Sequence, residues 1–303
     1  MRIDAALATQ RPFFSFEFFP PKDDEGSRRL FATIEALQPL RPAFVSITYG
    51  AGGSTRARTV ELAKEIQQRI GLTVVAHVTC IGADRAELRT LFDDLARAGI
   101  ENVLALRGDP PAGVQFTPTA GGFAHANELI GMLRRNYGFC IGAACYPEKH
   151  PEAPSFEDDL RSLRLKAEAG ADFLVSQLFF DNANFFKFER RARAAGVELP
   201  ILPGLMPITN FTQIQRFVAI CGASIPPKLR VEMEARKDDV NAVEDLGVAY
   251  ASMQALGLLQ AGAPGIHFYT LNRSPATRAI VSSLLAASAW RPAFQTPSPT
   301  TIR

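Results

Sequence analysis

The sequence is poor in the residues that mark stapled, exported or membrane-spanning proteins. Its four cysteines, Cys80, Cys140, Cys145 and Cys221, form no CxxC pair, so neither a disulfide framework nor a zinc knuckle is indicated. We expect reduced, mostly buried thiols. No stretch approaches the about 20 apolar residues that cross a bilayer, and the first residues lack the apolar core of a signal peptide. We therefore predict a cytoplasmic protein that does not enter a membrane.

Neither charge nor histidine is concentrated in one part of the chain. The 33 Lys and Arg nearly balance the 31 Asp and Glu, and no dense basic run stands beside aromatics, which argues against nucleic-acid binding. His77, His125, His150 and His267 show no pair at the helical spacing of a zinc site, so no metal is predicted. Hydrophobic residues make up 47% of the chain, as in folded globular proteins. Small molecules are the expected partners.

Short apolar, β-branched or aromatic runs alternate with amphipathic stretches along the chain. The eight predicted strands are 13–19, 43–49, 73–79, 102–106, 139–145, 172–178, 199–204 and 265–270. Helices are predicted between them, for example at 25–40, 55–70, 84–98, 156–169 and 182–195. This order is typical of a parallel sheet covered by helices.

Eight repeats of a strand and a helix in 303 residues predict closure of the sheet. The expected fold is an α/β (β/α)8 TIM barrel, and an open doubly wound sheet is the alternative. The span 210–262 is long enough for two or three extra helices between strands seven and eight. We predict one barrel domain over residues 1–290, followed by a flexible tail at 291–303 that is rich in Pro, Ser and Thr.

The carboxyl end of strand one carries a candidate general acid. Reactive groups of such barrels lie at the carboxyl ends of strands, and strand one reads FSFEFFPPK. We expect the phenylalanines around Glu17 to desolvate its charged form and raise the pKa of the carboxyl, which suits a proton donor. A buried glutamate that is hydrogen-bonded to a neighbouring strand is the alternative.

The next strand ends offer groups for a cofactor. SITYGAGGSTR places a glycine-rich turn before a helix, where backbone amides can face a phosphate, although Thr55 stands in the place of the third glycine of a dinucleotide fingerprint. A simple turn is the alternative. LALRGDPP presents Arg107 and Asp109 around Gly108, a combination that suits a polar ring edge or a phosphate.

The remaining strand ends suit a flat ligand. CYPEKHPEA places Tyr146 and His150 on a proline-pinned loop, and strand six carries Gln177 before two phenylalanines, so that an amide and aromatic rings stand together. Nothing forms a nucleophile elbow with a Ser-His-Asp order, which disfavours covalent hydrolase chemistry. The residues alone predict a barrel that binds a large, planar, partly anionic ligand.

Eight segments together resemble the flavin-dependent bacterial methylenetetrahydrofolate reductases from about residue 13 to residue 275. They are FSFEFFPPK, SITYGAGGSTR, AHVTC, LALRGDPP, YPEKHPEA, SQLFFD, PGLMPITNF and PGIHFYTLNR. The resemblance implies a TIM-barrel flavoprotein with bound FAD. It also implies ping-pong reduction of 5,10-methylenetetrahydrofolate to 5-methyltetrahydrofolate by NADH or NADPH, which supplies methyl groups for methionine synthesis.

The resemblance also implies roles for individual residues. Glu17 would be the acid that helps to open the folate ring into an electrophilic iminium, and the negative charge of Asp109 would tune the flavin and support the cationic folate. The expected cofactor-binding residues are Thr48, Tyr49, Ala51, His77, Arg107, Gly108, Asp109, Ala126, Tyr146, His150, Ala153, Asp159 and Lys166. The expected substrate-binding residues are Gln177, Gln213, Phe217 and Arg273, with Thr48 also near the nicotinamide or the folate.

Two positions depart from the family pattern at the expected adenosine end of the cofactor. His125 stands where a tyrosine is usual, and Leu165 stands where a basic residue often precedes the lysine. The resemblance further implies a homo-oligomer without the regulatory domain of eukaryotic members, so inhibition by S-adenosylmethionine is not expected. A folate-binding methyltransferase-type barrel without flavin is the alternative function.

Overall fold

The computed structural model describes residues 1–9, 12–49, 56–110, 114 and 116–287. Its strands are parallel to one another and lie side by side in one sheet. The strands are β1 Phe13–Phe18, β2 Phe44–Ile47, β3 Val74–Thr79, β4 Asn102–Leu106, β5 Cys140–Cys145, β6 Phe173–Ser176, β7 Ile201–Leu202, β8 Gly204–Leu205 and β9 Gly265–Tyr269. They form one sheet in the order β7-β6-β5-β4-β3-β2-β1-β9-β8, and all of its pairings are parallel. The predicted α/β TIM barrel, a single domain, is confirmed.

The sheet closes at the seventh predicted strand, which Pro203 divides into β7 and β8. Pro203 has no N–H to donate, and β7 pairs with β6 while β8 pairs with β9. The Ser176 hydroxyl accepts the Gly204 N–H at 2.9 Å, and the carbonyl of Pro203 accepts the N–H of His267 at 3.0 Å. The prediction of one continuous strand at 199–204 is therefore wrong, because the chain pairs with β6 before Pro203 and with β9 after it.

Helices surround the strands. They are α1 Ile3–Thr9, α2 Asp24–Leu37, α3 Arg56–Glu65, α4 Arg85–Arg97, α5 Ala126–Asn136, α6 Phe156–Glu168, α7 Asn182–Ala194, α8 Phe211–Cys221, α9 Pro227–Glu234, α10 Val240–Gln260 and α11 Pro275–Ala287. The three helices α8, α9 and α10 confirm the prediction for the span 210–262. None of the described helices combines the length and apolarity of a membrane span. The predicted tail at 291–303 lies outside the described residues.

Side-chain caps fix where the helices begin, close to the carboxyl ends of the strands. The Asp84 carboxylate accepts the N–H of Glu87 at 2.8 Å, and the Glu87 carboxylate accepts the N–H of Asp84 at 2.9 Å. This reciprocal capping box satisfies N–H groups that the first turn leaves without a helical partner. The side chains of Ser155, Asp181 and Asn210 likewise accept a backbone N–H in the first turns of α6, α7 and α8.

The short helix α1, which the sequence did not predict, covers the amino ends of the strands. Ile3 and Leu7 are buried against inward-facing side chains that include Phe13 and Phe44. Asn102 fastens the helix, because its Oδ1 accepts the N–H of Ile3 at 2.9 Å and its Nδ2 donates to the carbonyl of Met1 at 3.0 Å. The barrel is thus filled at one end, which leaves the carboxyl end for a ligand.

We expect loss of the Ser176 hydroxyl to weaken the closure of the barrel. In Ser176→Ala the buried Gly204 N–H loses its acceptor, which costs about 1–3 kcal/mol in the free energy of unfolding, measured by urea denaturation. Ser283→Ala is the matched control, because the Ser283 hydroxyl donates at 2.8 Å to a carbonyl on the exposed surface of α11. Equal stabilities of the two variants would contradict the role of Ser176.

Candidate active site

A cavity of about 660 Å³ opens at the carboxyl ends of the strands and is the candidate site. This is where barrels of this class place their reactive groups. It brings together most of the predicted site residues, from β1, β3, β4, β5, β6 and the segments that follow them. The predicted residues that line it are Glu17, His77, Arg107, Gly108, Asp109, Ala126, Tyr146, His150, Ala153, Asp159, Lys166, Gln177 and Phe217.

Other predicted residues lie apart from this cavity or outside the described chain. Thr48 and Tyr49 are half-buried after β2 and do not line it, and Ala51 and its glycine-rich turn fall outside the described residues. Gln213 is exposed on α8, where its backbone N–H is capped by Asn210. Arg273 lines a second cavity of about 260 Å³, which shares the side chain of Tyr269 with the first.

The Glu17 carboxyl lies between two imidazoles at the inner end of the cavity. Its Oε2 is 3.4 Å from Nε2 of His267 and 3.5 Å from Nε2 of His77, and the residue is only 7% exposed. The Ser15 hydroxyl lies 2.8 Å from Nδ1 of His267 and completes a line of polar groups inside the barrel. Within the described residues, these imidazoles are the basic groups in ion-pair range of Glu17.

The imidazole of His77 is neutral at physiological pH, since burial lowers its pKa to about 4.

Phe14, Phe16 and Phe18 pack among the residues under the surrounding helices, because neighbouring side chains of a strand point to opposite faces. The expected shell of phenylalanines around Glu17 is therefore wrong in this part. Imidazoles from β3 and β9 lie beside the carboxyl instead. Glu17 therefore lines the cavity and also contacts side chains of other strands, which combines the two alternatives that the sequence left open.

Arg107 and Asp109 extend the cavity wall after β4. Gly108 between them has φ of +86°, and a Cβ there would lie 2.4 Å from a methyl of Ile81, so this position requires glycine for its backbone shape. The Arg107 guanidinium forms a bidentate ion pair with Glu152, at 2.5 and 2.9 Å. The side chain of Asp109 is 84% exposed and faces the cavity.

A buried lysine and aspartate mark the next part of the wall, between β5 and α6. The ammonium of Lys166 donates to the carbonyl of Ala144 at 2.9 Å, and burial lowers its pKa. Burial raises the pKa of Asp159, whose Oδ2 accepts the N–H of His150 at 3.3 Å. The ring of Tyr146 meets that of His150 edge to face, with centroids 4.7 Å apart. These groups offer hydrogen-bond donors and ring edges to a polar ligand.

Gln177, directly after β6, and Phe217 on α8 also line the cavity. The Oε1 of Gln177 accepts the N–H of Leu178 at 2.8 Å, so its amide N–H groups are the part left for a ligand. Phe217 on α8 is half-buried and supplies a ring face for stacking. A flat heterocycle bound in the cavity could accept hydrogen bonds from the amide and stack on the ring.

Several residues of the site escaped the sequence analysis. Glu152, Met206 and Tyr269 all line the cavity. Glu152 stands in the quoted segment YPEKHPEA, and its pairing with Arg107 spans 45 residues, so only the assembled barrel shows it. Met206 directly follows β8 and was not singled out in the sequence.

A separate group of ligand-type side chains lies at the amino ends of the strands. Asp4, Cys140 and Asp172 place ligand atoms within 4.8 Å of one another. Both carboxylates already pair with guanidinium groups, Asp4 with Arg2 at 2.8 Å and Asp172 with Arg134 at 2.6 Å. Burial raises the pKa of Cys140 to about 12, which keeps the thiol protonated. This group is explained as a structural ion-pair cluster.

We expect the neutral imidazole of His77 to make folding stability depend on pH. Its pKa is near 4 when folded and 6.5 in the unfolded chain, so the unfolded chain binds the proton more readily and stability falls as pH drops from 6.5 to 4. The free energy of unfolding, measured by urea denaturation at pH 6.5 and at pH 4, should therefore fall less in His77→Gln than in wild type. The expected difference is up to about 3 kcal/mol. His125→Gln, at an exposed position, should keep the wild-type dependence. An unchanged dependence in His77→Gln would contradict the assignment.

Relatives of this chain share its sequence over most of its length. The sequence profile of the family described as methylenetetrahydrofolate reductase matches residues 2–285. The 5,10-methylenetetrahydrofolate reductase of Escherichia coli is 38% identical over 270 residues, which cover 89% of this chain and 90% of that protein. Methylenetetrahydrofolate reductase (NADH) 1 of Arabidopsis thaliana is 39% identical over 283 residues, which cover 89% of this chain and 48% of that protein.

The chain therefore spans about half the length of the plant relatives and most of the length of the bacterial ones. Among solved structures, an uncharacterized Clostridium thermocellum protein that binds two copies of 5-methyl-5,6,7,8-tetrahydrofolic acid has a TM-score of 0.63 at 15% identity. That match covers 92% of this chain and 96% of the other. Such a likeness shows the fold alone, whereas the sequence matches show the family. This chain belongs to the methylenetetrahydrofolate reductase family.

Proposed function

We propose that this protein reduces 5,10-methylenetetrahydrofolate to 5-methyltetrahydrofolate, with FAD bound in the cavity and NADH or NADPH as the electron donor. The observation that carries the proposal is the meeting of Glu17, Asp109 and Gln177 around one cavity at the open end of the barrel. An acid, a carboxylate near the rim and an amide are the groups that this reaction needs. The family of the chain supports the same reaction.

The lining of the cavity fits a flavin dinucleotide. Leu104, Ala144 and Val175 form an apolar floor for a planar ring, and Lys166 supplies a hydrogen-bond donor for a diphosphate. The Nε2 of His77 is buried without a hydrogen-bond partner among the described residues, so a polar edge of a ligand can satisfy it. When bound, the flavin would accept a hydride from the nicotinamide and deliver it to the methylene carbon of the folate.

Glu17 supplies the proton in this proposal. Its carboxyl lies between imidazoles, of which that of His77 is neutral, and it can carry a proton toward a nitrogen of the folate ring. Protonation of that nitrogen opens the five-membered ring and makes the methylene carbon electrophilic. The pair of Ser15 and His267 orients the Glu17 carboxyl from the interior of the barrel. The hydroxyl of Thr270, directly after β9, donates to the backbone carbonyl of Glu17 at 2.6 Å and fixes the main chain there.

Asp109 supports the cationic folate that protonation creates. Its exposed carboxylate lies at the rim of the same cavity, where a negative charge stabilises a positive ligand. Both substrates must reach one face of one flavin, so each leaves before the other enters, which is a ping-pong order. We infer NADH as the donor, because the plant relatives are named for it. We further propose a cytoplasmic homo-oligomer that supplies methyl groups for methionine synthesis.

The proposed reaction is tested by incubating the purified protein anaerobically with FAD, NADH and methylenetetrahydrofolate. Formation of 5-methyltetrahydrofolate, detected by mass spectrometry, is the expected result. The alternative, a folate-binding methyltransferase-type barrel, predicts folate binding without flavin uptake and without NADH-dependent product. That outcome would overturn the flavoenzyme proposal while leaving the fold and the family assignment in place.

Replacement of Glu17 should separate the two half-reactions. In Glu17→Gln the amide keeps the shape of the side chain but cannot donate an acidic proton, so oxidation of the reduced flavin by methylenetetrahydrofolate should slow by at least about 100-fold. Reduction of the flavin by NADH should stay within about threefold, because that step needs no proton from this carboxyl. Stopped-flow absorbance measures both rates. Equal losses in the two half-reactions would refute the role of Glu17 as the acid.

A further inference from the structure

Arg107 lies between two carboxylates that belong to different loops. Its Nη1 and Nη2 bind the two oxygens of Glu152 at 2.5 and 2.9 Å, whereas the nearest oxygen of Asp109 is 3.7 Å from Nη2. A bidentate pair is the stronger arrangement for a guanidinium, and 3.7 Å is beyond hydrogen-bond range. The charge of Arg107 is therefore committed to Glu152. One guanidinium faces two carboxylates, so one negative charge is left at Asp109.

The charges of the three groups agree with this division. The hydrogen bond that Arg107 donates to Glu152 is the main cause that raises the pKa of Arg107, and the charge of Asp109 contributes less. In return, the hydrogen bond from Arg107 lowers the pKa of Glu152. Arg107 is 17% exposed and Asp109 84% exposed, so the pair is more sheltered from water than the free carboxylate.

The backbone that carries Glu152 is fixed. The N–H of Glu152 donates to Nδ1 of His150 at 3.1 Å, and the ammonium of Lys149 donates to the carbonyl of His150 at 3.0 Å. On its other side, the Arg107 guanidinium packs over the ring of Phe116, 4.6 Å from its centroid. A surface ion pair between mobile side chains contributes little, but here the loop and the ring restrict both partners.

We propose that Glu152 is a positioning residue that holds the Arg107 guanidinium beyond hydrogen-bond range of Asp109, so that the Asp109 carboxylate keeps most of its negative charge toward the bound flavin. Nothing in the family assignment requires this role for Glu152. The inference rests on the proposed function, because the charge acts on a flavin and on a cationic folate. Without Glu152, the guanidinium needs to move by less than 1 Å to come from its present 3.7 Å to hydrogen-bond distance from Asp109.

The consequence is a change in the ease of flavin reduction. A negative charge beside a flavin opposes the arrival of electrons, and neutralising that charge favours the reduced form. In Glu152→Gln the neutral amide keeps one accepting oxygen but loses the charge and the bidentate pairing, so the guanidinium shifts toward the charged Asp109. The variant should therefore resemble Asp109→Asn, although residue 109 is unchanged.

The test compares the flavin potential in wild type, Glu152→Gln, Asp109→Asn and the double variant, by equilibration with a redox indicator dye. We expect the ratio of reduced to oxidised flavin at a fixed dye potential to rise about threefold or more in each single variant. The double variant should match Asp109→Asn to within about 1.5-fold, because Glu152 acts through a charge that is already gone. FAD affinity, measured by flavin fluorescence, should stay within about threefold throughout.

Glu148→Gln is the matched control, since Glu148 lies on the same loop, pairs with Ser224 and does not line the cavity. It should leave the potential unchanged. Additive effects in the double variant would mean that Glu152 acts on the flavin through its own charge. A lost FAD affinity with an unchanged potential would mean a purely structural role, and either result would overturn the proposal. A wild-type protein that takes up no FAD would instead overturn the proposed function itself.

Discussion

Closure of the parallel sheet at Pro203 is the constraint on which the rest of the structure depends. The seventh strand serves two neighbours through two-residue segments, and side-chain and backbone bonds from Ser176 and His267 bridge the break. Because the sheet closes, the carboxyl ends of all strands surround one opening. Groups on the two sides of the closure then come into contact, and the Tyr269 hydroxyl of β9 donates to the carbonyl of Ser176 on β6 at 2.6 Å.

Polarity changes along the axis of the barrel. Apolar residues and α1 fill the amino end, a layer of Ser15, His77 and His267 follows, and Glu17 stands at the start of the cavity. Charged groups lie nearer the rim. A carboxyl between imidazoles suits proton transfer, and paired charges at the rim suit binding of a dinucleotide.

Much of the fold could be predicted from the sequence, because apolar runs of strand length and amphipathic helices repeat eight times. The same logic placed Glu17, Arg107, Asp109 and Gln177 at strand ends. The break at Pro203 was not predicted, since closure depends on partners far along the chain. The pairing of Glu152 with Arg107 was not predicted for the same reason. Helix α1 was not predicted because seven residues show too little periodicity to indicate a helix.

The neighbours of Glu17 show the limit of reasoning from adjacent residues. The phenylalanines beside it in sequence pack mainly under the helices, while its spatial neighbours come from β3 and β9. Alternation along the strand turns these rings away from the Glu17 side chain, and adjacent residues carry no information on the groups across the barrel. The chemistry of the site therefore follows from the assembled barrel.

The proposed function requires one cavity to hold a flavin that two substrates use in turn. The most direct test is an anaerobic visible spectrum of the FAD-loaded wild-type protein, titrated first with NADH and then with methylenetetrahydrofolate. We expect NADH to bleach the flavin absorbance bands and the folate to restore them. A protein that remains colourless after incubation with FAD, or a reduced flavin that the folate leaves bleached, would contradict the proposed function.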